Sequence, residues 1–325
     1  MSAPWQPSAT RAVLAARASL LARIRAFFAA AGVMEVETPI ASRAGATDLA
    51  LEGLRTACPG LGAESWALWL HTSPEFPMKR LLAAGAGPIY QICKVFRGGE
   101  RGRRHHPEFT LLEWYRPGWD YRRLLDEVAE LVRFALDRPG LGVERLTYRQ
   151  AFLDRFGLDP LSADAETLGL AAREQGGAGA DELVLDADGW LDLLLTQGVE
   201  PDLGRGRLSF LIDYPASQAA LARIRADARP PVAERFELYL DGMELANGFT
   251  ELTDAAEQRR RFQSDLERRA ISGREAPPID EALLAALEAG LPECAGVALG
   301  VDRLLMIATG SEHIDQVLAF PVERA

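Results

Sequence analysis

The chain has 325 residues, 48% of them hydrophobic and 26% charged, with a formal net charge of −11. That is enough material for one large core, and the acidic balance argues against a broadly cationic nucleic-acid-binding surface, though not against a local basic patch. No apolar run approaches the roughly 20 residues of a membrane span, and the start MSAPWQPSATR lacks the charged and apolar parts of a secretory signal, so no membrane contact and a cytoplasmic location are expected.

In chain order, Pro7-Ser8 opens a segment whose apolar residues Val13, Leu14, Leu20, Leu21, Ile24, Phe27 and Phe28 recur at helical spacing until Gly32. A short extended piece follows and ends at Pro39, which removes a backbone donor and restricts Thr38. Ile89 to Arg97 and Glu108 to Arg116 read as strands flanking a glycine-bearing loop; 124–137 has helical spacing. The stretch 163–180, with Gly176-Gly177-Ala178-Gly179, reads as a flexible connection. Arg235–Leu240, the turn Asp241-Gly242 and Met243–Asn247 form a second hairpin; 255–270 is helical, and Gly296–Gly300 is a strand running directly into a helix over Val301–Ala308. Hairpins with helices packed on them define an α+β fold, an antiparallel sheet flanked by helices. A single domain over 1–325 accounts for the whole pattern. Cys58, Cys93 and Cys294 are isolated in sequence and expected to be reduced and mostly buried.

Three constellations carry chemistry. The loop from Arg97 through Gly98-Gly99-Glu100 to His105-His106-Pro107 gathers four arginines and two histidines beside glycines, which suits a polyphosphate because guanidinium forks bind phosphate oxygens bidentately; a solvated charged turn is the alternative. On the next strand Glu113 and Tyr115 share a face with Phe109 and Leu111, and a carboxylate there needs a partner, which a ligand ammonium group would supply. In the second hairpin Glu237 and Glu244 can converge on a hard cation such as Mg²⁺ bridging phosphates, leaving Glu251 for a substrate cation; surface glutamates balanced by arginines are the alternative. Third, Arg303 stands in the first turn after Gly300, a place the helix dipole disfavours for a cation unless a polyphosphate is bound.

In this order the segments resemble the signature motifs of class II aminoacyl-tRNA synthetases. Thr72-Ser-Pro-Glu75, Lys79-Arg80-Leu81, His105-x-Pro107-Glu108-Phe109-Thr110 and Glu244-Leu-Ala-Asn247-Gly-Phe-x-Glu251 look like the lysyl-tRNA synthetase catalytic domain over about residues 10 to 323. The first helix starts too early for the N-terminal OB-fold domain that grips the anticodon in those synthetases, so none is expected and tRNA binding is disfavoured. Glu113-Trp-Tyr115-Arg-Pro117 and Ala298, where the synthetases carry glycine, resemble the elongation factor P–(R)-β-lysine ligases.

The resemblance implies ATP and Mg²⁺ as cofactors. It also implies activation of (R)-β-lysine or lysine as an adenylate, and transfer to a lysine of elongation factor P. Arg97 and Arg303 would act on the phosphates as catalytic residues, with Gly98, Gly99, Glu100, His105, His106, Glu244, Leu245 and Gly300 completing the ATP site. Glu237 and Glu244 would hold Mg²⁺. Ser73, Pro74, Glu75, Glu113, Tyr115, Asn247, Glu251 and Ala298 would line the amino-acid pocket, with Glu251 and Tyr115 on the side-chain ammonium. A symmetric homodimer through the Pro39 region is implied as well. The synthetases usually read Phe-Arg-Asn-Glu and His-Asn-Pro-Glu-Phe, whereas Gly98-Gly99-Glu100 shifts the acidic residue by one and His106 replaces asparagine. A lysyl-tRNA synthetase lacking that domain and a catalytically silent amino-acid or ATP sensor are the competing functions; the presence of Arg97, Glu237, Glu244 and Arg303 counts against the sensor.

Overall fold

A computed structural model describes residues 5–60, 65–176 and 183–325. The elements in order are α1 (Arg11–Ala30), β1 (Met34–Glu35), β2 (Ala41–Ser42), β3 (Leu54–Pro59), β4 (Ser65–Leu70), α2 (Glu75–Ala83), β5 (Ile89–Phe96), β6 (Glu108–Pro117), α3 (Tyr121–Leu136), β7 (Gly142–Thr147) and α4 (Tyr148–Phe156). They continue with α5 (Ala165–Glu174), α6 (Ala187–Leu194), β8 (Arg207–Pro215), β9 (Ile224–Arg225), β10 (Val232–Leu240), β11 (Met243–Thr250), α7 (Ala255–Ile271), α8 (Glu281–Gly290), β12 (Cys294–Gly300) and α9 (Val301–Thr309).

The main sheet has the order β1-β5-β6-β12-β11-β10-β8-β7, with β9 added to β10. Its interior pairs are antiparallel, as expected; the two edge pairs, β1 with β5 and β7 with β8, are parallel. Strands β2, β4 and β3 form a separate small sheet. The fold is α+β, with helices against the sheet.

One face of the sheet carries the largest core. Helix α1 begins at Arg11, with the Thr10 hydroxyl capping the Val13 N–H, a turn later than Pro7-Ser8 suggests. It buries Leu20, Ile24 and Phe28, spaced four apart, and burying each of the last two removes enough apolar surface to be worth about 1.5–3 kcal/mol. Helix α3, capped by Asp120, packs beside it, and Leu112 and Trp114 of β6 point down onto this layer. Trp114 and Arg116 both donate to Glu127 of α3, so this face satisfies its own polar groups. Because side chains alternate along a strand, Leu111, Glu113 and Tyr115 are left on the opposite face.

The stretch 163–180 is not a uniform connection. Asp164 caps the Thr167 N–H and starts α5, which buries Leu168 and Ala172 against Trp190 of α6. Gly176, at φ +67°, follows the end of α5, and the rest of the glycine run lies in 177–182, outside the described residues. The thiols also differ from expectation, with Cys58 exposed, Cys93 half-buried and only Cys294 buried. Among the described residues no helix is long and apolar enough to cross a membrane.

Candidate active site

Sheet register brings distant sequence motifs into two adjacent rows. Gln91, Glu113, Ala298, Asn247 and Glu237 stand directly opposite one another across β5, β6, β12, β11 and β10. The neighbouring row is Ile89, Tyr115, Gly296, Phe249 and Arg235. Directly opposed residues share a face, so five expected site residues, Glu113, Tyr115, Asn247, Glu237 and Ala298, project from the same side. Glu113 and Glu237 are three strand steps apart, roughly 14 Å at ordinary strand spacing, which divides the face into two ends.

The β6 end is a cluster of carboxylates. Glu113 accepts from Ser73 Oγ at 2.6 Å and from the Tyr115 hydroxyl at 2.5 Å. Ser73 Oγ also accepts the Glu75 N–H at 3.0 Å, at the start of α2, where Pro74 is the cap residue. The partner expected from a ligand is thus supplied to Glu113 by hydroxyls. Glu251, just after β11, also has a partner within the chain: its Oε2 meets the ammonium of Lys79 at 2.5 Å, and the same ammonium donates to Glu75 Oε1 at 2.5 Å. Burial pushes the Glu113 carboxyl up to about 7, helped by the charge of Glu75 and opposed by its hydrogen bonds and Lys79. Burial likewise pushes Glu251 up, against the pull of Lys79, with Glu75 and Glu113 adding to the rise. For Lys79 burial acts downward, but Glu251 and Glu75 outweigh it, so it keeps its proton. The empty cluster therefore carries more negative charge than it can hold ionised.

Gly296 belongs to this pocket although its sequence context suggested only a strand residue. A Cβ at this position would collide with Glu251 Oε1 and the Tyr115 ring. Ala298, in the neighbouring row, stands between Glu113 and Asn247. Asn247 Oδ1 accepts from Arg235 Nε at 3.2 Å, and Arg235 in turn pairs with Glu237 at 2.5 Å.

The other end gathers the arginines. Arg303, in the first turn of α9, reaches back to Glu244, donating to its backbone oxygen at 2.9 Å and to Oε2 at 3.1 Å. Its remaining nitrogens meet the Arg104 carbonyl and His105 Nε2. Burial and the Arg303 charge hold the His105 imidazole below its ordinary value. Arg97 lies over the Phe109 ring at 5.0 Å, within 3.8 Å of Glu100 and donating to the Thr72 carbonyl. It thereby links the arginine loop to the segment carrying Ser73 and Glu75.

The Gly98 N–H is held by the Glu52 carbonyl, and Gly99 adopts φ +76°, a conformation that glycine permits. Gly300 is the cap residue of α9. Two expected ATP contacts are placed differently. The Leu245 side chain is buried in the core on the far face, leaving only its backbone for a ligand. The buried His106 ring donates from Nδ1 to the Glu108 carbonyl, while Nε2 accepts the Val322 N–H. His106 thus ties the loop to the C-terminal segment, as does Arg101, paired with Glu323 and Asp315.

Glu237 and Glu244 sit beside a third carboxylate, Glu200, that the sequence reading missed. Burial, with the charges of Glu237 and Glu244, pushes Glu200 up to about 7. The Tyr239 hydroxyl contacts both Glu237, at 2.6 Å, and Glu200, at 3.3 Å. Mutually repelling carboxylates at this end fit a divalent cation, since Mg²⁺ is ordinarily held by one or two carboxylates completed by phosphate oxygens. They do not form a closed protein cage: among the described residues no group of three acidic, His or Cys side chains is arranged to hold a metal alone.

A family model described as tRNA synthetases class II (D, K and N) matches residues 5–324, and the chain belongs to that family. It is a class II synthetase-type, ATP-dependent ligase. Within the family it is 52% identical over 322 residues to the elongation factor P–(R)-β-lysine ligase of Pectobacterium atrosepticum, covering 99% of this chain and 98% of that protein. It is 51% identical over 325 residues to the protein of the same name from Salmonella paratyphi B, covering 100% and 99%. The chain is thus a member of the elongation factor P–(R)-β-lysine ligase family.

Proposed function

We propose that the chain activates (R)-β-lysine, or lysine, as an adenylate and transfers it to a lysine side chain of elongation factor P in the cytoplasm. The observation that carries this reading is the shared sheet face: a buried surplus of carboxylates at one end, suited to ammonium groups, and Arg97 with Arg303 at the other, suited to a triphosphate. The relatives at 52% and 51% identity are ligases named for elongation factor P, which supports that acceptor.

In the first step the substrate carboxylate attacks the α-phosphorus of ATP, forming a mixed anhydride and expelling pyrophosphate. In this reading Arg97 and Arg303 stabilise the charge that builds on the phosphates. Bound Mg²⁺, held by Glu237 and Glu244, would supply further charge neutralisation. The acceptor ε-amine, having lost its proton, then attacks the carbonyl carbon, forming an amide and releasing AMP. Glu75, Glu113 and Glu251 orient the substrate by its two ammonium groups so that its carboxylate faces the arginine end. Incubating the chain with ATP, (R)-β-lysine and purified elongation factor P should raise the mass of the factor by one β-lysyl group. An unchanged factor alongside acylated tRNA would reject this acceptor.

A symmetric homodimer through the Pro39 region is part of the proposal. Met34 and Ile40 stand exposed on either side of Pro39, and sizing chromatography is expected to return twice the chain mass.

The protonated carboxyls give the reaction a pH signature. Glu113 and Glu251 titrate above the ordinary carboxylate range, so at pH 6 an incoming ammonium must displace their protons. KM for the amino acid is expected to fall as pH rises from 6 to 8, by up to about tenfold per pH unit for each proton displaced. The stability of the empty protein runs the other way. Carboxyls with raised folded-state pKa contribute stability fully below about 4.5, and lose it as pH rises through the folded values, about 7 for Glu113 and about 8 for Glu251. Melting temperature without ligand should therefore decline across pH 6–9, and lysine should reverse much of the decline.

A further inference from the structure

Lys79 is buried to 1% exposure inside the amino-acid end of the site. It lies on α2 one turn after Glu75, so the i,i+4 spacing stacks the two side chains, and its ammonium bridges Glu75 Oε1 and Glu251 Oε2 at 2.5 Å each. The groups facing it are Glu75 from its own helix, Glu251 after β11, Glu113 and Tyr115 from β6 and Cys294 from β12, with the Phe249 ring 5.6 Å away.

A buried ion pair that serves only the fold does best at neutrality, because each uncompensated buried charge is costly. This cluster does not close. Three carboxylates, Glu75, Glu113 and Glu251, face one ammonium, leaving two negative charges when all are ionised. Glu251 Oε1 is buried without a hydrogen-bond partner, and it and the Tyr115 ring approach the Gly296 backbone so closely that no side chain could stand there. A lysine-like acid brings two ammonium groups, which is the number the cluster lacks.

We propose that Lys79 is a positioning residue that sets the charge of the pocket at two: it fixes one oxygen each of Glu75 and Glu251 and leaves the others to the two ammonium groups of the substrate. The inference rests on the reading of this face as the amino-acid pocket, and it makes discrimination for a dicationic amino acid a property of four residues rather than of the glutamates alone.

The test is pyrophosphate exchange by Lys79→Met, a substitution of similar length, measured from pH 6 to 8.5 with lysine and (R)-β-lysine. KM at pH 7 should rise about a hundredfold, with kcat and calorimetric ATP affinity within about threefold because the arginine end is untouched. Loss of the ammonium leaves three like charges, so the acid limb of the KM profile should move up by about one pH unit. In Lys79→Met/Glu75→Gln the remaining carboxylates again sum to two, and the limb should return to its original pH even if the level of KM does not. The double variant also carries the test if the single one fails to bind ATP or to fold. A KM profile raised equally at every pH in the single variant, or a limb still displaced in the double, would overturn the role of Lys79 while leaving the pocket assignment standing. Absence of exchange by the unaltered chain with any cationic amino acid would overturn both.

Discussion

Arg303→Ala is expected to lower ATP–pyrophosphate exchange by about a hundred- to a thousandfold, the usual consequence of deleting one preorganised donor to developing charge. The side chain sits at the start of α9, where its hydrogen-bond partners among the described residues are Glu244, the Arg104 carbonyl and His105. Its removal leaves the core beneath untouched, since Val301, Leu304 and Leu305 make that contact. Melting temperature should therefore change little. Arg303→Lys keeps a charge but loses the fork that reaches Glu244 and the loop together, and should recover only part of the rate. Unaltered exchange in Arg303→Ala would place the triphosphate elsewhere.

Glu251→Gln should abolish activation of both lysine isomers, lowering kcat/KM by at least about a hundredfold, while ATP binding measured by calorimetry stays within twofold of the parent. The size follows from burial. Glu251 is 1% exposed, and its carboxylate pairs with Lys79 through Oε2 while Oε1 lies against the Gly296 backbone without a hydrogen-bond partner. An amide in its place leaves Lys79 with Glu75 alone and offers an incoming ammonium a dipole instead of a charge. Normal activation by this variant would remove Glu251 from the pocket.

Much of the fold was legible because its elements announce themselves locally. The hairpins at Ile89–Phe96 with Glu108–Pro117 and at Val232–Leu240 with Met243–Thr250 carry their alternation and turns in sequence. The helix after Gly300 does the same. What escaped depends on contacts between distant segments. Strands β7 and β8 pair in parallel across sixty residues, and nothing local marks that register. Helix α5 was hidden by the glycines at its end, whose signal outweighed the Asp164 cap and the Leu168–Ala172 spacing.

The candidate site divides in the same way. Glu113, Tyr115, Glu237 and Glu244 were singled out from strand alternation and hairpin geometry, and the register puts Glu113, Tyr115 and Glu237 on one face. Lys79 and Gly296 were not assigned roles, because a buried lysine on a helix and a glycine in a strand acquire meaning only from what lies opposite them. The available signal for Lys79 was its i,i+4 spacing from Glu75. The tie of His106 to the C-terminal segment was hidden for the same reason: its partner Val322 is 216 residues away.

A crystal structure with a non-hydrolysable ATP analogue and lysine tests the central claim most directly. The account predicts Arg97 and Arg303 within hydrogen-bond reach of phosphate oxygens, and the lysine ammonium groups against Glu75, Glu113 and Glu251, with the carboxylate turned toward the α-phosphorus. Arginines pointing to solvent, or an amino acid bound with its ammonium groups away from those carboxylates, would contradict it.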